Sequence, residues 1–178
     1  KPTATVSPLP SSPVVEPVKE PVKEPVKETE QPSLAYDSLT TSNIGTLADK
    51  EILYILEDRA APEKAVRLAL EESGKRSGDA FTLRIIKLSQ HPSFVVRIDA
   101  LKALAKDAHR GAPATMDAIL ARLADEDFLV RGFSAKLISQ MGGQSAVPIL
   151  QDRLLKEDNE KVRAVLQQAI DKIAQGNL

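Results

Sequence analysis

From Leu47 onward, apolar positions return at three- and four-residue intervals, the period of a helix with one buried face. A stripe of this kind follows each of three Val-Arg pairs: Val96-Arg97, Val130-Arg131 and Val162-Arg163, with a weaker copy at Val66-Arg67. Three residues after the arginine stand Ala100, Ser134 and Leu166; six after, Ala103, Leu137 and Ala169; seven after, Leu104, Ile138 and Ile170. The stripe recurs at intervals of about 32 residues, the length of a two-helix unit.

Start and stop signals divide the stretch further. Thr46 ahead of Asp49 reads as a capping box opening a first helix over Ile52, Leu53, Ile55 and Leu56. Pro62 suits the first turn of the next, which carries Ala65, Val66, Ala69 and Leu70. Further helices are expected at about 79–90, 92–108, 113–124, 126–141, 144–156 and 158–174, separated by Gly74 and Gly78, by Gly111 with Pro113, and by Gly142-Gly143. Eight short helices in four antiparallel hairpins follow. No hairpin of this size buries its own face, so the units must stack into one core. The fold class is all-α, an α-solenoid of about four hairpins preceded by a disordered Pro-rich segment.

That segment is a different material. Eight of the twelve prolines fall at or before Pro32, and Glu-Pro-Val-Lys runs three times over residues 16–27. Proline at every fourth position forbids helix and removes ladder donors, leaving an extended polyproline II chain. Thirty such residues reach on the order of 90 Å. The expected division is a linker over 1–43, its last part an unstructured approach reaching to 45, and a repeat domain over 44–178. Four lysines face six carboxylates in the linker, which leaves the domain near neutral, at about +1. Neither part is basic enough for nucleic acid to be expected from charge. The chain has no Trp to stack bases and no Cys for disulfide or thiolate chemistry. No apolar run is long enough to span a bilayer. An opening at Lys1 rather than Met leaves room for an upstream signal or anchor.

The segments His91-Pro92-Ser93-Phe94-Val95-Val96-Arg97, Asp125-Glu126-Asp127-Phe128-Leu129-Val130-Arg131 and Glu157-Asp158-Asn159-Glu160-Lys161-Val162-Arg163, with the stripes behind them, resemble HEAT repeats. The resemblance is to the short bacterial type related to the repeats of phycobilin lyases. Ala146-Val147-Pro148-Ile149-Leu150 is similar to the proline-bearing first helix of that family. It covers about 46–175, most strongly 91–175, and implies an array of HEAT-like hairpins serving as a scaffold more often than as an enzyme. The first unit departs from the pattern, with Ser73 and Gly74 at the sixth and seventh positions, so its second helix should end early. Asp107 stands where Met141 and Ile173 do in later units, which should loosen the third hairpin's boundary.

Candidate chemistry is sparse. Arg97, Arg131 and Arg163, each behind Val96, Val130 or Val162, are expected to bridge carboxylates and carbonyls at the turns between units rather than to form an anion-binding row. His91 and His109 sit at helix boundaries with no second ligand at metal spacing, so capping is their expected role. No catalytic set and no cofactor site can be assembled from the residues, and no enzyme is expected.

The resemblance implies that second helices line the concave side. Positions two, five and nine after each arginine would then face the groove: Phe133 and Val165 as apolar anchors, Lys102, Lys106, Lys136 and Lys172 around them. Asp99, Gln140 and Gln168 complete that face, with Ala69, Glu72 and Arg76 in the first unit. The leading expectation is a non-catalytic module that binds a partner protein through the concave face, tethered by the Pro-rich spacer. The alternatives are a nucleic-acid-binding HEAT-like domain and, further off, a bilin-lyase-type activity. The spacer resembles tethers of bacterial envelopes, which points toward an envelope or periplasmic setting.

Overall fold

The computed structural model describes residues 34–176; the stretch up to residue 33, with its expected disordered, extended conformation, lies outside them. Among the described residues all regular structure is helical. The α-helices are α1 (Asp49–Glu57), α2 (Glu63–Ser73), α3 (Asp79–Leu88), α4 (Phe94–Leu104), α5 (Asp107–Arg110), α6 (Pro113–Ala121), α7 (Phe128–Met141), α8 (Val147–Lys156) and α9 (Glu160–Ala174). Four hairpins, α1/α2, α3/α4, α6/α7 and α8/α9, stack in sequence order. Second helices pack in a row, α2 on α4, α4 on α7, α7 on α9, while α1, α3 and α6 form the other layer. This is the expected α-solenoid.

The core runs unbroken through the stack. Ile52, Ile55, Leu70, Ile85, Leu101, Leu104, Ile119, Ile138, Leu150, Leu166 and Ile173 are fully buried. Each contributes about 1.5–3 kcal/mol by leaving water, and the arrangement makes the units interdependent. Helix starts obey local chemistry: Pro113 opens α6, Asp127 accepts the Leu129 N–H at the start of α7, and Asn159 accepts those of Lys161 and Val162 at the start of α9. α7 stops at Gly142, where the backbone turns extended, and glycine is required there because a Cβ would meet the Ile138 carbonyl oxygen at 2.7 Å. Gly78 enters α3 at φ +129°, where side chains are strained.

Four expectations fail in detail. First, Thr46 is not the cap of α1; its hydroxyl donates to the Asn43 carbonyl at 2.7 Å. The N-cap is Ala48, whose N–H is taken by Glu51 at 2.8 Å, and Asp49 turns instead to Arg76. Second, residues 34–45 are not an unstructured approach. They form 3₁₀ turns at Tyr36–Ser38 and Ile44–Thr46, and Leu39 and Ile44 are buried. Among the described residues no hairpin precedes the first, and Leu39 and Ile44 join its apolar core.

Third, the helix expected over 92–108 ends at Leu104, and α5 follows as a separate turn. Asp107 is exposed where Met141 is partly buried and Ile173 fully buried in later units, and there the chain breaks and turns His109 inward instead. Fourth, Val66-Arg67 is one residue out of phase. In α4 the buried positions are Val96, Arg97, Ala100, Leu101, Ala103 and Leu104. In α2 the same spacing is met by Ala65, Val66, Ala69, Leu70, Glu72 and Ser73. Val66 therefore stands where later units place arginine, and Arg67 is rolled to the surface. The apolar set, not the dipeptide, decides how the helix turns. α2 does end early, at Ser73.

Candidate partner-binding groove

The turn between the helices of each hairpin rigidifies the stack and so positions the groove. The arginine of one unit reaches back to carbonyls of its own turn and forward to a carboxylate of the next. Arg97 donates to His91 and Pro92 carbonyls at 2.8 and 2.9 Å and to Asp125 at 2.8 Å. Arg131 donates to the Asp125 and Glu126 carbonyls at 2.9 and 3.1 Å and grips Glu157 with two bonds of 2.8 and 2.7 Å. Glu157 is itself wholly inside. The bonds from Arg131 hold its carboxyl well below the usual carboxylate range, against the opposing effect of burial, with help from Arg153 and the Asn159 N–H. Val96, Val130 and Val162 lie in the core beside these arginines. Arg163 departs from the pattern: it is exposed and makes one bond, to the Glu157 carbonyl at 3.2 Å.

The histidines serve the scaffold. His91 Nδ1 accepts the Ser93 N–H at 3.0 Å, the expected capping role. His109 is more than a boundary residue: it is fully buried, 2.8 Å from the Ser73 carbonyl through Nε2 and 2.9 Å from the Thr82 hydroxyl through Nδ1. With a carbonyl as its partner, Nε2 must donate. The ring ties the end of α2 to α3, and only the interrupted stripe at Asp107 hinted at it. Among the described residues no group of three or more His, Asp or Glu side chains could hold a metal ion. None of the described helices is long and apolar enough to cross a membrane.

The second helices face a concave surface, where α2, α4 and α7 enclose a groove of about 820 Å³. Asp99 and Lys102 come from α4, Lys106 from the turn that follows it, and Phe133 and Gln140 from α7, all positions that the repeat phase assigns to this side. A second concavity of about 590 Å³ lies between α7 and α9, with Lys136, Val165, Gln168 and Lys172 on its walls. The six residues singled out from sequence thus divide between two neighbouring hollows, Lys102, Lys106 and Phe133 in one and the other three in the next.

Phe133 and Val165 are half-buried and lean on the core, so they form floor rather than protruding anchors. On α2 the shifted register changes the membership. Ala69 and Glu72 are buried instead of facing the groove, and Leu68 and Glu71 take their places. Glu72 and Arg76 join the first hairpin internally, with Arg76 2.6 Å from Asp49 and 2.9 Å from the Leu47 carbonyl. Burial alone would raise the Glu72 carboxyl, yet bonds from Lys75 and Arg76 outweigh it and keep the value low. Leu68 and Leu137 complete the apolar floor, and sequence reading missed both. The burial phase of α2, once corrected, would have found Leu68.

Charges on the walls are partly spent. Asp99 accepts from Arg67 Nε at 2.7 Å and from Lys102 Nζ at 2.8 Å, and these bonds keep its carboxyl low although burial acts to raise it. Among the described residues, Lys106, Lys136 and Lys172 enter no ion pair.

Comparison with curated proteins returns no match. The family model of HEAT repeats matches residues 82–171, half of the chain, and takes in the arginine-bearing turns of α4, α7 and α9. Members of that family generally mediate protein–protein interaction or scaffolding and are typically non-catalytic. On the stacked hairpins, the recurring turns and this match together, the chain belongs to the HEAT-repeat family.

Proposed function

We propose that the domain is a non-catalytic interaction module that holds a segment of a partner protein along its concave face, with the Pro-rich stretch ahead of it as a spacer. The observation that carries this reading is the groove between α2, α4 and α7: an apolar floor of Leu68, Phe133 and Leu137 inside a rim of charged and amide side chains. An apolar centre within a polar rim is the usual anatomy of a protein contact. The walls mix Glu63, Glu71 and Asp99 with the cations, which disfavours the phosphate backbone of a nucleic acid.

A photo-reactive residue at Gln140, in the groove, or at Leu83, exposed on the outer layer, tests the reading in the native source. Cross-linking to a discrete protein is expected from Gln140 only, and Phe133→Glu should cut its yield at least about tenfold, the cost of losing a central anchor. Equal yields from both positions, or none from Gln140, would remove the groove from consideration.

A further inference from the structure

The concave face is polarised along the stack, and that polarity points to the chemistry of its occupant. Over residues 34–178 the twenty basic side chains equal the twenty acidic ones in number, so any local surplus comes from how the fold distributes them. On α2 the groove-lining charges cancel, Lys64 and Arg67 against Glu63 and Glu71. Past α2 the walls carry Lys102, Lys106, Lys136 and Lys172 against Asp99 and Asp171. Both of those carboxylates are already engaged, Asp99 by Arg67 and Lys102, Asp171 by the Gln167 amide at 2.9 Å. The matching carboxylates are elsewhere: Asp125 and Glu157 are buried under the arginines, and Glu126, Asp158 and Glu160 lie along the hairpin turns. What remains on the concave side is a row of uncommitted ammonium groups running from Lys106 to Lys172, beside the half-buried Phe133 and Val165.

We infer that the segment held along this face is acidic, with an apolar side chain seated on Phe133 in the first hollow and carboxylates over Lys136 and Lys172 in the second. The inference rests on the groove being the binding site. Charge complementarity sets register and discriminates among partners more than it adds raw affinity. The neutral α2 end gives the carboxylates nothing to favour, so the acidic part of the segment lies toward α9.

Three synthetic peptides titrated into the full chain test it, each with a central Leu-Phe-Leu flanked by Glu, by Gln or by Lys, with chemical shifts of the backbone amides as readout. The Glu peptide is expected to bind at least about tenfold more tightly than the Lys peptide. It should shift amides around Phe133 and Val165, and lose that advantage in Lys136→Glu/Lys172→Glu, whose fold is verified by its unfolding transition and amide spectrum; Lys136 is exposed and Lys172 half-buried. Raising salt should weaken the Glu peptide and leave the Gln peptide unchanged. Equal shifts from all three peptides would overturn the acidic reading and leave the groove standing. No shift from any, with a cross-link still formed from Gln140, would do the same. No shift and no cross-link would end both.

Discussion

The joint between the first and second hairpins and the two joints after it solve one problem with different chemistry. At the later joints a buried guanidinium meets a buried carboxylate, Arg97 with Asp125 and Arg131 with Glu157. At the first joint Val66 occupies the arginine position, and His91 occupies that of Asp125 and Glu157, so neither charge is present. The buried contact there is apolar apart from His109, which holds the Ser73 carbonyl and Thr82, and the ion pairs Arg67–Asp99 and Arg84–Glu57 flank it. The contrast teaches that the ion pairs act as registers: each arginine can bond only if the next turn is in one place. An apolar interior lacks that directionality, and the joint recovers it from His109, brought in by α5, together with the outer ion pairs. Buried pairs of this kind add little net stability over an apolar substitute, but breaking one is costly.

The largest expected effect comes from stranding a charge at an arginine joint. Glu157→Ala leaves Arg131 and Arg153 facing a dry turn and should cost about 3–5 kcal/mol in urea unfolding. A loss below about 1 kcal/mol would mean the pair is not integral to the joint. The same carboxyl makes stability pH-dependent. Its value is depressed below the ordinary 4.5 on folding, so its contribution is complete above that pH and fades as pH falls toward the folded value. Glu157→Gln should therefore flatten the acid limb of a stability profile below about pH 5; an unchanged limb would refute the assignment.

Converting one joint into the other is the next test. Arg97→Val alone leaves the buried Asp125 with only Arg122, at 3.5 Å, as a cationic partner and should cost about 3 kcal/mol, while Arg97→Val with Asp125→His, the first joint's own combination, should recover at least about half of it. Additive losses would show that the two solutions are not interchangeable. His109→Leu should cost about 2 kcal/mol by removing the buried bonds to the Ser73 carbonyl and the Thr82 hydroxyl, and the added hydrogen exchange should appear first in α2 and α3. Exchange rising evenly through the stack would contradict a local role. Smallest of all, Arg163→Ala should stay within about 0.5 kcal/mol, because the same residue type at the end of the stack is exposed and has no carboxylate to meet.

The ends of the stack differ as well. Four positions after the arginine, Leu101 and Ala135 are fully buried, whereas the corresponding Gln167 is exposed and bonds Asp171. At that position the last unit presents a polar side chain to water. The first unit is instead roofed by Leu39 and Ile44, and the Tyr36 hydroxyl donates to Asp58 at 2.5 Å. Burial and that bond push the Tyr36 phenol upward, and the bond from Tyr36 holds the Asp58 carboxyl down.

Periodicity along the chain was enough to read the helices, their pairing and the stacked array, because a stripe at offsets three, six and seven can be buried only against another of its kind. It also placed the groove side of α4, α7 and α9, since turn and stripe are locked together in those units. The register of α2 was beyond it: Val66-Arg67 looks like the later pairs, and only packing against α4 shows that the stripe outweighs the dipeptide. Burial of His109 and the roof made by residues 34–47 were out of reach for the same reason. Each depends on contacts between residues distant in sequence, His109 with Ser73 and Thr82, Leu39 and Ile44 with the core of the first hairpin, and such contacts exist only once the units have been laid side by side.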